Sequence, residues 1–470
     1  MEVQVREAFL SAVFILILGC LARLVHKWRN PSYSGKLPPG SMGLPIVGET
    51  FQLFKSSPSL DIPGFYKLRL KRYGSLFKTS LLGKPVVVSM DMEVNNFIFR
   101  EDDKLFHIFG KKTVAAGYGP IHKYVRSIAG PIFAPTNLKE TFIYETERIM
   151  AESLREWATK PSIEVKEAVT NMMFGLIVKA LIGFDPKSQR SKELRKNIDL
   201  FFHGLLSFPI YVPGTKFYRS MQARKYVQRM LKDLLKQRAC APTNQKRDFL
   251  DIVVEELKSG KALVDEDFMM DLVAGLIFAG IAFAPTTVTV LMKYLSGDKK
   301  VVEALTEEHA AILKDREVLD SGITWEEYKS MKFTGQVINE ISRLSSNSPG
   351  IFRKALKDVQ VNGYTIPAGW LVMISPMAVH LNPELFKDPL TFDPWRWQET
   401  NGSSMMKNFI PFGYGKRHCM GAEFVKLQFA VFLHTLVTKY RWRDIKGGEI
   451  SHVSEIVFIQ DYHIQLLPKS

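Results

Sequence analysis

The stretch Phe412-Gly413-Tyr414-Gly415-Lys416-Arg417-His418-Cys419-Met420-Gly421 constrains this chain more than any other. One cysteine lies in a glycine-punctuated loop, after an aromatic residue, among cations, and just before an apolar helical pattern that runs to Leu436. The thiolate is the metal-binding form of cysteine, and neighbouring positive charge and the N–H groups of a helix N-terminus favour it. Arg417, His418 and the start of the following helix are placed to supply both. Glycines let the backbone pass close to a large flat ligand, where a Cβ would collide. The plain alternative is a buried, inert cysteine in a turn, and the spacing of the fixed positions argues against it.

That spacing, Phe-x-x-Gly-x-Arg-x-Cys-x-Gly, is filled by Phe412, Gly415, Arg417, Cys419 and Gly421, and it resembles the haem-ligand loop of the cytochromes P-450. The resemblance implies a mainly α fold with a small β region, the cytochrome P-450 fold, behind an N-terminal transmembrane helix. It implies haem b (iron protoporphyrin IX) with Cys419 as axial thiolate, a ligand that pushes electron density towards O–O cleavage. The implied enzyme hydroxylates a substrate carbon with dioxygen. Its electrons come from NADPH through a flavoprotein reductase docked on the basic face around the cysteine loop. The cofactor carries that chemistry, while the protein positions substrate and controls protons and water.

Length alone, 470 residues with 46% hydrophobic content, suggests two or three domains. The resemblance argues instead for a membrane anchor over residues 1–30, a proline-rich hinge over 31–48 and one catalytic domain over 49–470. Lys and Arg total 63 against 48 for Asp and Glu, a net charge of +15. Such a balance suits acidic partners or an anionic membrane surface. Nucleic acid is disfavoured, because the basic residues are dispersed and no recognition motif accompanies them. Cys20, Cys240 and Cys419 are odd in number and far apart, which makes no disulfide framework and points to a reducing compartment.

Residues 8–22 form an apolar run that Leu24 and Val25 extend if Arg23 snorkels, enough for a short membrane span. Glu2 and Glu7 offset Arg6 before it, and Arg23, Lys27 and Arg29 follow it, with no clear cleavage site. This pattern opposes a cleaved signal and places the bulk of the chain in the cytosol, a single-pass protein of the endoplasmic reticulum membrane. Pro31, Pro38, Pro39, Gly40, Gly43, Pro45 and Gly48 then read as a stiff extended linker. Residues 73–89 suggest a hairpin ending in Val86-Val87-Val88, residues 139–268 are mostly helical, and Asn362-Gly363 marks a late hairpin.

Glu340 and Arg343 share a helical face, a pairing worth little alone. In the family resembled, such a helix precedes an aromatic-x-Pro-x-Arg segment, here Phe392-Asp393-Pro394-Trp395-Arg396. Glu340, Arg343 and Arg396 are therefore expected to form a buried structural network behind the haem. Arg417, Arg353, and the pair His122 and Arg126 at i and i+4 are the expected propionate partners, with Phe412 beside the macrocycle.

Residues 271–295 are nearly all apolar or small, as a buried central helix would be. Its middle departs from the family. Where an acid and a threonine usually assist proton delivery, this chain has Ala282 and Phe283, followed by the helix-disrupting Pro285. Thr286 and Thr287 are candidates for a relocated hydroxyl, unless they only bond back to their own helix. A second departure is the compact segment between Asn96 and His122, a trimmed loop or an altered gene product over the pocket.

Expected pocket walls are Phe106, Phe278, Ala282, Phe283, Ile351, Phe352 and Val457, which suit a hydrophobic small-molecule substrate. Leu44-Pro45-Ile46-Val47-Gly48, Thr324-Trp325-Glu326-Glu327-Tyr328 and Pro394-Trp395-Arg396-Trp397 resemble plant enzymes that oxidise triterpenoids and steroids by hydroxylation or oxidative cleavage. Two alternatives follow from Ala282 and Phe283: a haem-thiolate isomerase or peroxide-rearranging enzyme, and a haem-binding member without turnover.

Overall fold

Apolar periodicity and breakers divide the chain much as the sequence implies. The computed structural model describes residues 2–469 apart from 58–59, 108–118, 206, 208, 241–247, 317–321, 347, 349, 399–403 and 453–455. Most of the compact segment before His122 thus lies outside the described residues. The chain opens with a helix over Glu2–Arg29, whose Phe9–Arg29 part is long and apolar enough to cross a membrane and is not buried by the rest of the chain. Glu266–Gly297 meets the same length and hydropathy test, but half of it is enclosed by protein, as a core helix would be.

The proline-rich segment is docked rather than free-standing. Lys78 N–H donates to Pro39 O at 2.8 Å, Thr365 N–H to Lys36 O at 2.7 Å, and Trp370 Nε1 to Tyr33 Oη at 3.0 Å. The sheet that receives it has five strands in the order Leu76–Leu81, Lys84–Ser89, Leu371–Ile374, Ile351–Ala355 and Phe106–His107. Its first two strands form the expected hairpin, and Leu82 and Gly83, with φ of 49° and 71°, make the turn. Asn362 (φ 47°) and Gly363 (φ 74°) make the corresponding turn between Val359–Val361 and Tyr364–Ile366.

The helical part packs around three helices that are apolar on nearly every side: Val165–Ile182, Glu266–Ala282 and Ala422–Lys439. A helix hydrophobic all round belongs in the interior. Gly280 lets two of them approach, since a Cβ there would come within 2.9 Å of Ile177. The long apolar run breaks at Phe283 (φ −118°, ψ −41°), and a second helix, Ala284–Gly297, continues beyond it. Pro285 explains the position: it lacks the N–H that would bond Ile281 O, and its ring crowds that carbonyl.

Three buried histidines have fixed hydrogen-bond roles. Thr334 donates to Glu308 at 2.6 Å and so accepts from His309 Nε2 at 3.0 Å; His309 Nδ1 then accepts from His434 Nδ1 at 3.0 Å. Ile410 N–H donates to His380 Nε2 at 2.9 Å, which puts the His380 proton on Nδ1, facing Ser346 Oγ at 2.7 Å. Burial first, then neighbouring charge, holds His309 and His380 down to about 3 and His434 to about 4. The folded chain keeps them neutral, whereas the unfolded chain protonates them near pH 6.5. Their stabilisation is therefore complete above that pH and is lost as pH falls towards the folded values, by about 1.4 kcal/mol per unit for each histidine. Denaturant unfolding at pH 7.5 and 5 should show His309→Asn losing less stability on acidification than the parent; equal losses would contradict this account.

Candidate active site

The cysteine loop is shaped by its own backbone. Cys419 N–H donates to Phe412 O at 3.0 Å, His418 N–H to Gly415 O at 3.1 Å, and Gly413 N–H to Ile410 O at 3.1 Å. Gly413 and Gly415 both have φ of 72°, where side chains are disfavoured, and a Cβ on Gly415 would stand 3.1 Å from Phe99 O. The Ala422–Lys439 helix starts immediately after, capped by Gly421.

Cys419 opens onto a cavity of about 340 Å³. Phe99, Ile351, Phe412, Val425 and Phe429 give it apolar walls, Arg353 and Arg417 give it charge, and Ala279, Phe283 and Thr287 come from the broken central helix. Cys419 is exposed on the wall of this cavity. Burial by the surrounding chain nonetheless pushes the Cys419 thiol up, opposed by the Gly421 N–H and by Arg126. Arg417 and His418, expected to favour the thiolate, are not the groups that do so here. Arg126 instead lies close, donating to His418 O at 2.8 Å, and His122 is half-buried beside it.

Arg353 and Arg417 carry partners that sequence reasoning missed. Asp102, fully buried, accepts from Arg353 Nε and NH2 at 2.8 and 2.9 Å, and Arg417 Nε stands 3.5 Å from it. Arg417 NH2 donates to Asp103 at 3.0 Å. Burial would raise Asp103, but Arg417 and the Gly119 N–H outweigh it and hold the carboxyl below its usual value.

The structure brings Glu340, Arg343 and Arg396 together. Glu340 accepts from Arg343 at 2.8 and 3.0 Å, from Arg396 Nε at 3.0 Å, and also from Asp393 N–H and Trp397 Nε1. Of the expected pocket residues, Phe283 and Ile351 line the cavity, and the half-exposed Phe283 ring (48%) faces it. The others do not. Phe106 is buried in the sheet as the partner of Ala355, Phe278 stacks on Phe202 at 3.9 Å, and Phe352 packs on the main core. Ala282 and Val457 are not among the lining residues, and Val457 belongs to a separate hairpin over Ile450–His452 and Ile456–Phe458. Thr286 is buried away from the cavity, whereas Thr287 lines it. Ser342, Ser345, Ser346 and Ser348 add a hydroxyl seam that no helical periodicity announced.

A lone soft sulfur ligand, apolar walls for a macrocycle and two arginines for its carboxylates form a donor set that fits haem, and together with the fold they define a haem-thiolate protein. The cytochrome P450 family model matches residues 38–467, and the chain belongs to that family. Cytochrome P450 87A3 of Oryza sativa subsp. japonica is 45% identical over 95% of this chain and 89% of its own length. The beta-amyrin 16-alpha-hydroxylase of Maesa lanceolata is 40% identical over 96% and 97%, and the cucurbitadienol 11-hydroxylase of Siraitia grosvenorii 40% over 95% and 96%. Among solved structures, the retinoic acid-bound cyanobacterial CYP120A1 superposes with a TM-score of 0.82 at 26% identity, covering 93% of this chain and 100% of that one. Family and fold imply haem with thiolate ligation, electron supply from a redox partner and monooxygenase activity, and the apolar N-terminal helix agrees with membrane anchoring.

Proposed function

We propose that this protein is a membrane-anchored haem-thiolate monooxygenase that hydroxylates a polycyclic triterpenoid or sterol. The observation that carries the proposal is Cys419 opening onto an apolar cavity closed by the broken central helix. Relatives named as hydroxylases of beta-amyrin and cucurbitadienol support the substrate class. Bound haem would supply dioxygen activation, and Cys419 would hold it through its sulfur. The remaining work belongs to side chains: Phe283, at the break in the central helix, excludes water and receives a rigid apolar skeleton, and the serine seam lines the cavity with hydroxyl oxygens that accept from a substrate hydroxyl. Arg353, Arg417, Arg126 and His122 are the proposed propionate partners. An NADPH-dependent flavoprotein reductase docks beside the loop, where Lys123 and Lys416 are exposed. The protein sits in the endoplasmic reticulum membrane as a single-pass protein with its catalytic domain in the cytosol.

The test is the reduced carbon-monoxide difference spectrum, then product analysis with reductase, NADPH and a panel of triterpenoids and sterols. A thiolate-haem band and oxygenated products dependent on NADPH and dioxygen are expected; a protein without that band overturns the proposal. Phe283, standing where a hydroxyl is usual, favours a second reading as an isomerase of peroxides, and turnover dependent on NADPH and dioxygen rejects it.

Thr287 is the hydroxyl on the central helix that reaches the cavity. Ser345 Oγ shares its hydrogen between Ile341 O at 2.6 Å and Thr287 Oγ1 at 3.1 Å, and Thr287 Oγ1 in turn donates back to Phe283 O at 3.4 Å, one turn earlier in the chain. These contacts fix the position of the Thr287 hydroxyl at the cavity wall. Thr287→Ala should raise hydrogen peroxide released per NADPH several-fold if this hydroxyl takes part in oxygen activation once it turns towards the cavity. An unchanged peroxide yield would remove Thr287 from oxygen activation.

A further inference from the structure

The turn after the helix Met92–Arg100 places two carboxylates against the two cavity arginines. Asp91 starts that helix by accepting from Glu93 N–H and Val94 N–H. The helix ends at Arg100, and Asp103 follows in the left-handed region with φ of 70°. Asp is one of the few side chains that tolerate this conformation. Asp103 N–H donates to Phe106 O at 2.7 Å, which fixes the turn to the sheet edge. Lys416 Nζ donates to Asp102 O at 3.2 Å, which ties the same turn to the cysteine loop.

We propose that Asp102 is a positioning residue for the cofactor, holding Arg353 and Arg417 as a fixed pair of cations that receives the haem propionates. The inference rests on the haem-thiolate reading and goes beyond it. Asp102 occupies the Nε and NH2 edge of Arg353, and Phe352 O takes one NH1 hydrogen at 3.0 Å. A guanidinium has five N–H groups, so one hydrogen on each terminal nitrogen is left for a further acceptor. Pairing with Asp102 and pairing with a propionate are therefore compatible. A bidentate fork also fixes the guanidinium plane, which a single contact does not. Without Asp102, Arg353 would lose its carboxylate and Arg417 would keep Asp103, so the two guanidiniums would repel each other with less compensating charge on a low-dielectric wall.

The test is haem transfer from the holoprotein to excess apomyoglobin. Asp102→Asn should lose haem about tenfold faster, in the range seen when partners of cofactor ligands are removed, and Asp102→Glu should recover most of the retention. Glu49→Gln, which breaks the buried Glu49–Arg69 pair outside the cavity lining, should release haem at the parent rate. Haem loss from Asp102→Asn at or below the parent rate overturns the proposal, as does an equal acceleration in Glu49→Gln. Should Asp102→Asn not accumulate, Arg353→Lys carries the test, since it keeps the charge and removes the fork: accelerated loss supports the proposal and parental loss overturns it. A parent protein lacking the thiolate-haem band would sink the site reading itself. A parent with the band and an indifferent Asp102 would sink only this inference.

Discussion

Cys419→Ser is expected to abolish the carbon-monoxide band of a thiolate-bound haem and to reduce product formation below detection. Serine is nearly isosteric, but its oxygen is a hard, weakly acidic ligand where a soft thiolate is needed. The loop should survive the exchange. Its closure depends on Cys419 N–H to Phe412 O and His418 N–H to Gly415 O, which are backbone bonds, and on the positive φ of Gly413 and Gly415. Stability of the haem-free chain should change by less than about 1 kcal/mol, since no core contact or charge pair is lost. The combination is diagnostic: a folded protein without the band assigns the ligand, whereas a variant that keeps the band would transfer the role to another residue.

The site was legible where chemistry demands fixed local spacing. A glycine-lined cysteine loop before a helix is written in consecutive residues, and so are the turns at Leu82-Gly83 and Asn362-Gly363. The break in the central helix followed from Pro285, although the structure centres it on Phe283. What escaped notice depends on long-range pairing. Asp102 and Arg353 lie 251 positions apart and Ser345 and Thr287 lie 58 apart, so no periodicity links them. Two expected pocket walls lie outside the Cys419 cavity for a related reason. Phe106 and Val457 have the right character, but apolarity suits a core strand or a small hairpin as well as it suits a cavity. The thiol's environment was likewise not written in its neighbours, because burial outweighs the positive charge that its flanking residues suggested.

Glu340→Gln should destabilise the fold by about 3–5 kcal/mol, the usual effect of removing one partner from a buried ion pair. Glu340 and Arg343 are fully buried, and the two carboxylate oxygens accept from five donors: two on Arg343, one on Arg396, the Asp393 N–H and the Trp397 indole. A glutamine amide would point a hydrogen-bearing nitrogen at donors and leave two guanidiniums without their counter-charge. The consequence reaches the cysteine loop by a traceable path. Arg343 NH1 donates to His380 O at 2.9 Å, His380 Nε2 accepts from Ile410 N–H, and Ile410 O accepts from Gly413 N–H inside the loop. The same helix, Lys332–Leu344, leads into the serine seam at Ser345 and Ser346. Denaturant unfolding should therefore show the stability loss, and the surviving folded fraction should show a diminished thiolate-haem band. Glu340→Asp, which keeps the charge but shortens the reach, should fall between the parent and Glu340→Gln. A Glu340→Gln protein within about 1 kcal/mol of the parent, with a full band, would show that the network neither holds the fold nor supports the loop.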